Sequence, residues 1–384
     1  MWAVPYEIEF DKPPMGYAAE AARKTSDKVM VMTTGFVSPD DGPTYTKLIH
    51  GFPSEVLSKL PLDARVEPWQ VRDLLVRIRE DCSCEVFLNE IDLRLQVRAK
   101  RPIRAGELVS LNDIADVASL GFGDVTIEDD EGVVFVFSLG WKRGFFFDFT
   151  PVAGSLATRR PYDLTQMLGE CYSYLAFTDR LGITAGAWEE LTRQGWFPFI
   201  TLSTDTLRKL ASYAEHHWPI EEILEDIHQE TLARIPSLRE RAQKWPLADH
   251  QEFVYRALDH FQSEDYLSAC SILYPRMEGV MRSVHSSLAT GRRPRSRDLV
   301  RSLLSMNAAG RGNASLLLPD RFGEFLNRVC FRDFNEDREI QTSRHSVAHG
   351  VAPADRMDCS AACVAVLTLD HIGYLAYEET EPRE

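Results

Sequence analysis

Positive charge is scarce in this chain: 43 Lys and Arg stand against 58 Asp and Glu, a formal net charge of −15 at pH 7. Broad, sequence-independent binding to nucleic acid depends on many phosphate contacts from Lys and Arg, so that role is excluded and any RNA site must be a local basic region. Cysteine is sparse too. The seven cysteines, at 82, 84, 171, 270, 330, 359 and 363, form neither an even disulfide framework nor two CxxC pairs, and Cys82 and Cys84 lack zinc-ligand spacing. A reducing compartment is expected. No apolar run is long enough to span a bilayer, and Met1-Trp2-Ala3-Val4-Pro5-Tyr6-Glu7 shows no basic region followed by an apolar core. The expectation is a cytoplasmic protein with no membrane partner.

What remains is ordinary globular composition, 44% hydrophobic and 26% charged over 384 residues, which suits two or three domains with cores of their own. To about residue 155 the pattern is mostly that of strands. Ile91, Leu93, Leu95 and Val97 alternate with Asp92, Arg94, Gln96 and Arg98, a half-buried strand. Val133 to Leu139 and Phe145 to Phe149, split by Gly140-Trp141-Lys142-Arg143-Gly144, predict a hairpin, with the acidic turn Glu128 to Gly132 before it as a solvated tip. Val29 to Thr33 predicts another strand. Helices near 16–24, 53–60 and 69–80 are expected to cover one face, making residues 1–155 an α+β domain with a sensing or regulatory role. Trp141, Lys142 and Arg143 offer an aromatic ring beside two bases, a pattern more often met as plain surface than as a nucleotide site.

Beyond Pro161 the period turns helical. Leu164, Met167, Leu168, Cys171 and Leu175 share one stripe, and further helices are predicted to begin at Ser203, a good N-cap, and at Pro219. Glu221, Glu222, Glu225, Asp226 and His228 read as the wet face of a helix whose stripe is Ile220, Leu224 and Ile227. Residues 156–245 thus form a helical middle region, and Pro236 and Pro246 bracket a connector. Residues 246–384 form a last helical domain. Asp249 and Glu252 have capping-box spacing before Phe253, Val254, Ala257, Leu258 and Phe261; a long helix follows from about Tyr266 to Leu288. The final helix, from about Asp355 to Glu378, is apolar on nearly every side between Ala361 and Leu369, so it must be buried all round, in a bundle or a subunit interface.

Just before that helix lies Ser343-Arg344-His345-Ser346-Val347-Ala348-His349-Gly350. A guanidinium offers a fixed fork of donors that matches a phosphate, and an imidazole gives or takes a proton near neutrality. Together they suit metal-free RNA cleavage, the histidine moving a proton and the arginine stabilising charge on the phosphoryl oxygens. Five positions along a straight helix place two side chains on different faces, so Gly350 and Pro353 are expected to break the helix and free His349. Arg338 with His345 satisfies the same pattern at looser spacing. Glu278 is placed to buttress an arginine or to pair with Arg282 four positions on. Arg292, Arg293, Arg295 and Arg297 are the densest positive charge in the chain and the candidate RNA guide.

Arg344, the polar His345 and His349, in these helical surroundings, resemble the motif of the HEPN superfamily, all-helical domains whose active members carry Arg, a polar residue, a few more positions and His. The resemblance covers roughly residues 246 to 384. Together with the strand pattern of residues 1–155, it gives the expected fold: an α+β N-terminal domain followed by an all-α region ending in a HEPN-like helical bundle. It further implies a metal-independent endoribonuclease with Arg344, His345 and His349 catalytic, acting as a toxin or antiviral defence effector. A homodimer with paired motifs, and an antitoxin or regulatory partner, belong to the same expectation; no cofactor does. The alternative is a non-catalytic HEPN-like RNA-binding or dimerisation module. Some HEPN proteins work with nucleotidyltransferases, but Gly154-Ser155 before Asp163-Leu164-Thr165 lacks that signature's second carboxylate.

Overall fold

A computed structural model describes residues 4–64, 66–154, 158–288, 294–308, 314–333 and 341–376. The chain divides into two compact units, one of residues 1–96 and 117–176, the other of residues 97–116 and 177–384. The expected boundary at 155/156 falls inside the first unit, and that at 245/246 inside the second.

The first unit runs β1 Tyr6–Glu9, β2 Tyr17–Ala18, β3 Val31–Met32, β4 Thr34–Val37, α1 Pro43–Lys59, β5 Leu74–Ile78, β6 Ser83–Leu88, β7 Arg94–Ala99, β8 Ile114–Gly121, β9 Gly132–Leu139, β10 Lys142–Asp148 and α2 Leu164–Ala176. β7 and β8 pair as a two-stranded ribbon, of which Val97–Ala99 and Ile114–Asp116 belong to the second unit. Six strands form an antiparallel sheet in the order β1-β6-β5-β9-β10-β4. Alternation along each strand assigns the faces. Leu74, Val76, Ile78, Val134, Val136, Phe145 and Phe147 pack with Phe52 and Val56 of α1 on one side. Leu75, Val133, Phe135, Phe137 and Phe146 pack with Leu168 and Cys171 of α2 on the other.

Helices therefore cover both faces, not one as expected. That also explains the misplaced helix at 69–80. A strand buried on both faces shows a continuous apolar run instead of alternation, and Leu74, Leu75, Val76 and Ile78 of central β5 are all fully buried. Residues 16–24 hold β2 and no helix, and α1 runs through Pro53 where a helix was expected to begin. The β9–β10 hairpin forms, but Lys142 pairs with Leu139, so the loop is only Gly140-Trp141. Gly140 takes φ 61° at the first loop position, as a type II′ turn requires. The acidic turn is no solvated tip at Glu131, which is buried and accepts from Arg77 Nε at 2.7 Å.

The second unit is helical: α3 Thr178–Leu181, α4 Ala185–Arg193, α5 Thr204–Glu215, α6 Leu224–Arg241, α7 Gln251–Gln262, α8 Tyr266–Leu288, α9 Ser296–Ala308, α10 Pro319–Phe325, α11 Arg344–Ala348 and α12 Cys359–Leu375. Ser203 caps α5 by accepting from Thr206 N–H, as its residue type predicts. α6 continues through Pro236, where a connector was expected, and His228 turns inward to Tyr266 instead of lying on the wet face. The α7 N-cap is His250, with no side-chain cap, so Asp249 and Glu252 form no capping box.

Every residue of α12 from Ala362 to Leu375 is buried, against α6, α8 and α9 of the same chain. Its carboxylate and its imidazole are accommodated individually. Asp370 faces the guanidinium groups of Arg234 and Arg241, at 3.3 and 3.2 Å. His371 donates from Nε2 to the Leu317 carbonyl at 2.9 Å and accepts the Ile200 N–H at Nδ1. Burial, reinforced by the positive Arg180, pushes this imidazole down to about 3, so it is neutral. All seven cysteines are free. Among the described residues no helix is long and apolar enough to cross a membrane.

Candidate active site

α11 is only five residues long, too short to stand by propensity, and both its ends are fixed by specific hydrogen bonds. At the start, Ser343 Oγ accepts from Ser346 N–H at 3.2 Å, and Ser346 Oγ accepts from Ser343 N–H at 2.9 Å, a reciprocal capping box. Both serines are buried; Ser343 Oγ donates on to the Arg332 carbonyl and Ser346 Oγ to that of Gln341. At the end, Gly350 takes φ 70° and donates to Val347 O, while Val351 N–H reaches Ser346 O at 2.9 Å. That pair of bonds is a Schellman motif, with Gly350 in the left-handed position its sequence predicts.

The break does not release His349 in the way expected. His349 is the last residue of helical conformation, φ −89° and ψ −2°, and lies exposed at the helix end. The link to Arg344 runs through His345 instead. Arg344 Nη1 lies 3.2 Å from His345 Nδ1. A guanidinium can only donate, so Nδ1 accepts in this contact, and Nε2 faces Asp333 Oδ1 at 3.6 Å. The His345 and His349 rings, four positions apart, are nearly parallel with centroids 6.4 Å apart.

Behind this row stands Glu278 of α8, which is buried. One of its carboxylate oxygens accepts Arg282 Nε and Nη2 at 2.9 and 2.6 Å; the other faces Arg344 Nε as an ion pair. Glu278 therefore does both things the sequence allowed for it. The arrangement grades from a buried carboxylate, through a guanidinium and a half-buried imidazole, to an exposed imidazole. A phosphodiester approaching His349 would meet, in order, a proton-transfer group and a fixed positive fork.

The remaining expectations are less tightly joined to this row. Arg295 and Arg297 are exposed at the start of α9, where the Arg295 N–H is taken by Asp298, and no hydrogen bond or ion pair links either side chain to Arg344 or His345. Arg292, Arg293 and Arg338 lie outside the described residues. Sequence reading missed Asp333 and the Ser343–Ser346 box. The two serines three apart were a usable signal for the box; Asp333 is brought near His345 only by the fold.

In the first unit the weaker candidates resolve into structure. Trp141 is exposed, with Lys142 over its ring, and Arg143 donates to the Trp69 carbonyl at 3.0 Å. Asp163 caps α2, accepting from Gln166 N–H and the Thr165 hydroxyl; Ser155 lies outside the described residues. Among the described residues no group of three or more His, Cys, Asp or Glu is placed to hold a metal ion. Compared with known proteins, the chain matches no family model, no curated protein and no solved structure.

Proposed function

We propose that the protein is an endoribonuclease of the HEPN type, with Arg344, His345 and His349 as its working residues. The observation that carries this reading is the continuous row from Glu278 through Arg344 and His345 to the exposed His349. The substrate's own 2′-hydroxyl attacks the adjacent phosphorus, its proton passes to an imidazole, and the bond from phosphorus to the 5′-oxygen breaks as that oxygen takes a proton. The Arg344 fork stabilises the charge on the phosphoryl oxygens, and Glu278 and His345 hold the guanidinium in place. The products are a 2′,3′-cyclic phosphate and a 5′-hydroxyl.

On this reading the helices α7, α8, α9 and α12 form the HEPN-like bundle, and α11 sits at its mouth. A twofold dimer brings two copies of the row into one cleft, and the arginines at the start of α9 steer RNA towards it. A role as a toxin or antiviral effector, restrained by an antitoxin or regulatory partner, is part of the same proposal and rests on the family resemblance. The test is to incubate purified protein with mixed RNAs, with and without EDTA, and to identify the product ends. Cleavage that EDTA leaves unchanged and that produces cyclic phosphate ends is the expected result. Intact RNA after prolonged incubation overturns the proposal in favour of a non-catalytic RNA-binding or dimerisation module.

A further inference from the structure

Away from α11, the second unit contains a cavity of about 310 Å³ lined by one carboxylate, Glu240, and five cations: Arg98, Lys100, Arg101, Arg241 and Lys244. That balance is unusual in a chain of net charge −15. The volume is at the lower end of the range for small-molecule sites.

The walls are stiff. Arg241 lies flat on the Tyr374 ring, with its guanidinium carbon 3.5 Å from the centroid, and is held by Asp370. It can pass so close to α12 only because residue 373 is glycine; a Cβ there would meet Arg241 Cδ at 2.5 Å. Arg98 donates to the Tyr374 carbonyl at 2.7 Å, and Arg234 and the Tyr374 hydroxyl both donate to the Lys100 carbonyl. The backbone around Lys100 is thus pinned from α6 and α12 at once.

Lys100 itself is different. Its ammonium makes no hydrogen bond to any described residue, and the residue is half-buried. A desolvated cation without an anion is costly unless it loses its proton or gains a partner.

We propose that this cavity binds an organic phosphate, with the phosphate against Lys100 and Arg98 and the organic part over Pro102 and Trp245 at the rim. A phosphate supplies several acceptor oxygens to a lining whose one carboxylate, Glu240, is paired with Lys244 at 3.8 Å. Pro102 and Trp245, both exposed, are among the apolar side chains on the lining, with Ala99 and the Tyr374 ring. This assignment is independent of the ribonuclease reading and concerns a separate site.

Burial, and then the Arg180 and Arg234 charges, hold Lys100 down at about 7, against the opposing pull of Glu230 and Asp113. Near pH 8 the amine is mostly neutral, and a bound phosphate restores its proton. Binding is therefore expected to take up a proton from solution.

Calorimetric titration of the full chain with ADP at pH 8, in two buffers of different ionisation enthalpy, measures both binding and proton uptake. The expected result is saturable binding with uptake approaching about one proton, and no binding of adenosine, which lacks the phosphate. Lys100→Gln is expected to weaken ADP by about tenfold or more and to abolish the uptake. Circular dichroism checks that the variant is folded, and the uptake by the unmodified protein reports on the same cavity without any substitution. No ADP binding at millimolar concentration, adenosine binding as well as ADP, binding without proton uptake, or a folded Lys100→Gln protein that binds unchanged each overturns the proposal.

Discussion

Glu278 on α8 holds Arg344 on α11: one of its carboxylate oxygens faces the Arg344 Nε while the other is occupied by Arg282. A guanidinium held at Nε by a buried carboxylate and at Nη1 by His345 keeps a fixed position. Glu278→Gln leaves two cations facing a neutral amide. RNA cleavage is expected to fall about 10- to 100-fold, mainly in kcat, from misplacement of the fork. Single-turnover kinetics with circular dichroism as the folding control measures this, and an unchanged rate means Glu278 does not position the arginine.

His349 and Arg344 make separable contributions to the proposed cleavage. His349→Ala removes a proton-transfer group and is expected to slow cleavage about 10²- to 10⁴-fold. Arg344→Lys keeps a charge but loses the fork, and is expected to be strongly impaired as well. DNA, which has no 2′-hydroxyl, should be spared by every variant. Wild-type rates for His349→Ala place the proton transfer elsewhere, with His345 the first residue to replace.

The ends of α11 can be probed through stability. Ser343→Ala removes the cap and leaves the Ser346 N–H without its acceptor, a loss of about 1 kcal/mol. Gly350→Ala meets no atom within 4 Å, so its cost is the left-handed backbone alone, about 1–2 kcal/mol. Urea unfolding measures both. A neutral Gly350→Ala would show that the helix end tolerates another conformation.

Acid sensitivity should report on His371. Its folded value, about 3, lies below the ordinary histidine value of about 6.5, so the unfolded chain binds the proton first as pH falls. The stability contributed by the neutral ring is complete above about pH 6.5 and is lost progressively from there towards pH 3. Urea midpoints between pH 7 and 5 are expected to fall with pH, and less steeply in a folded His371→Gln protein. An identical slope in the variant assigns the acid limb to other groups.

The dimer prediction changes in kind once the fold is known. α12 is buried within a single chain, so its apolar surface needs no second subunit to cover it. The paired cleft of the proposed ribonuclease is the remaining reason to expect one. Light scattering at micromolar concentration should report a dimer; a monomer that still cleaves RNA shows that one copy of the row suffices.

Much of this was already present in the sequence. Local signals carried well: Ser203 as a cap, Gly350 as a helix end, α8 from Tyr266 to Leu288, and the apolar all-round helix near the end of the chain. Each depends on residues within a turn or two of one another, where propensity and hydrogen-bond geometry act directly. The tertiary structure decided what local pattern leaves ambiguous. β5 looks helical because a strand covered on both faces loses its alternation, and α6 continues through Pro236 because packing overrides a single weak position. The same holds at the sites. The spacing of Arg344 and His349 is a property of the sequence. That Arg344 bonds His345 follows from a helix whose ends the fold fixes, whereas that Glu278 lies behind Arg344, and that Lys100 meets Arg241 and Tyr374 around a cavity, were settled only when distant segments packed together, because such contacts depend on which buried faces pair.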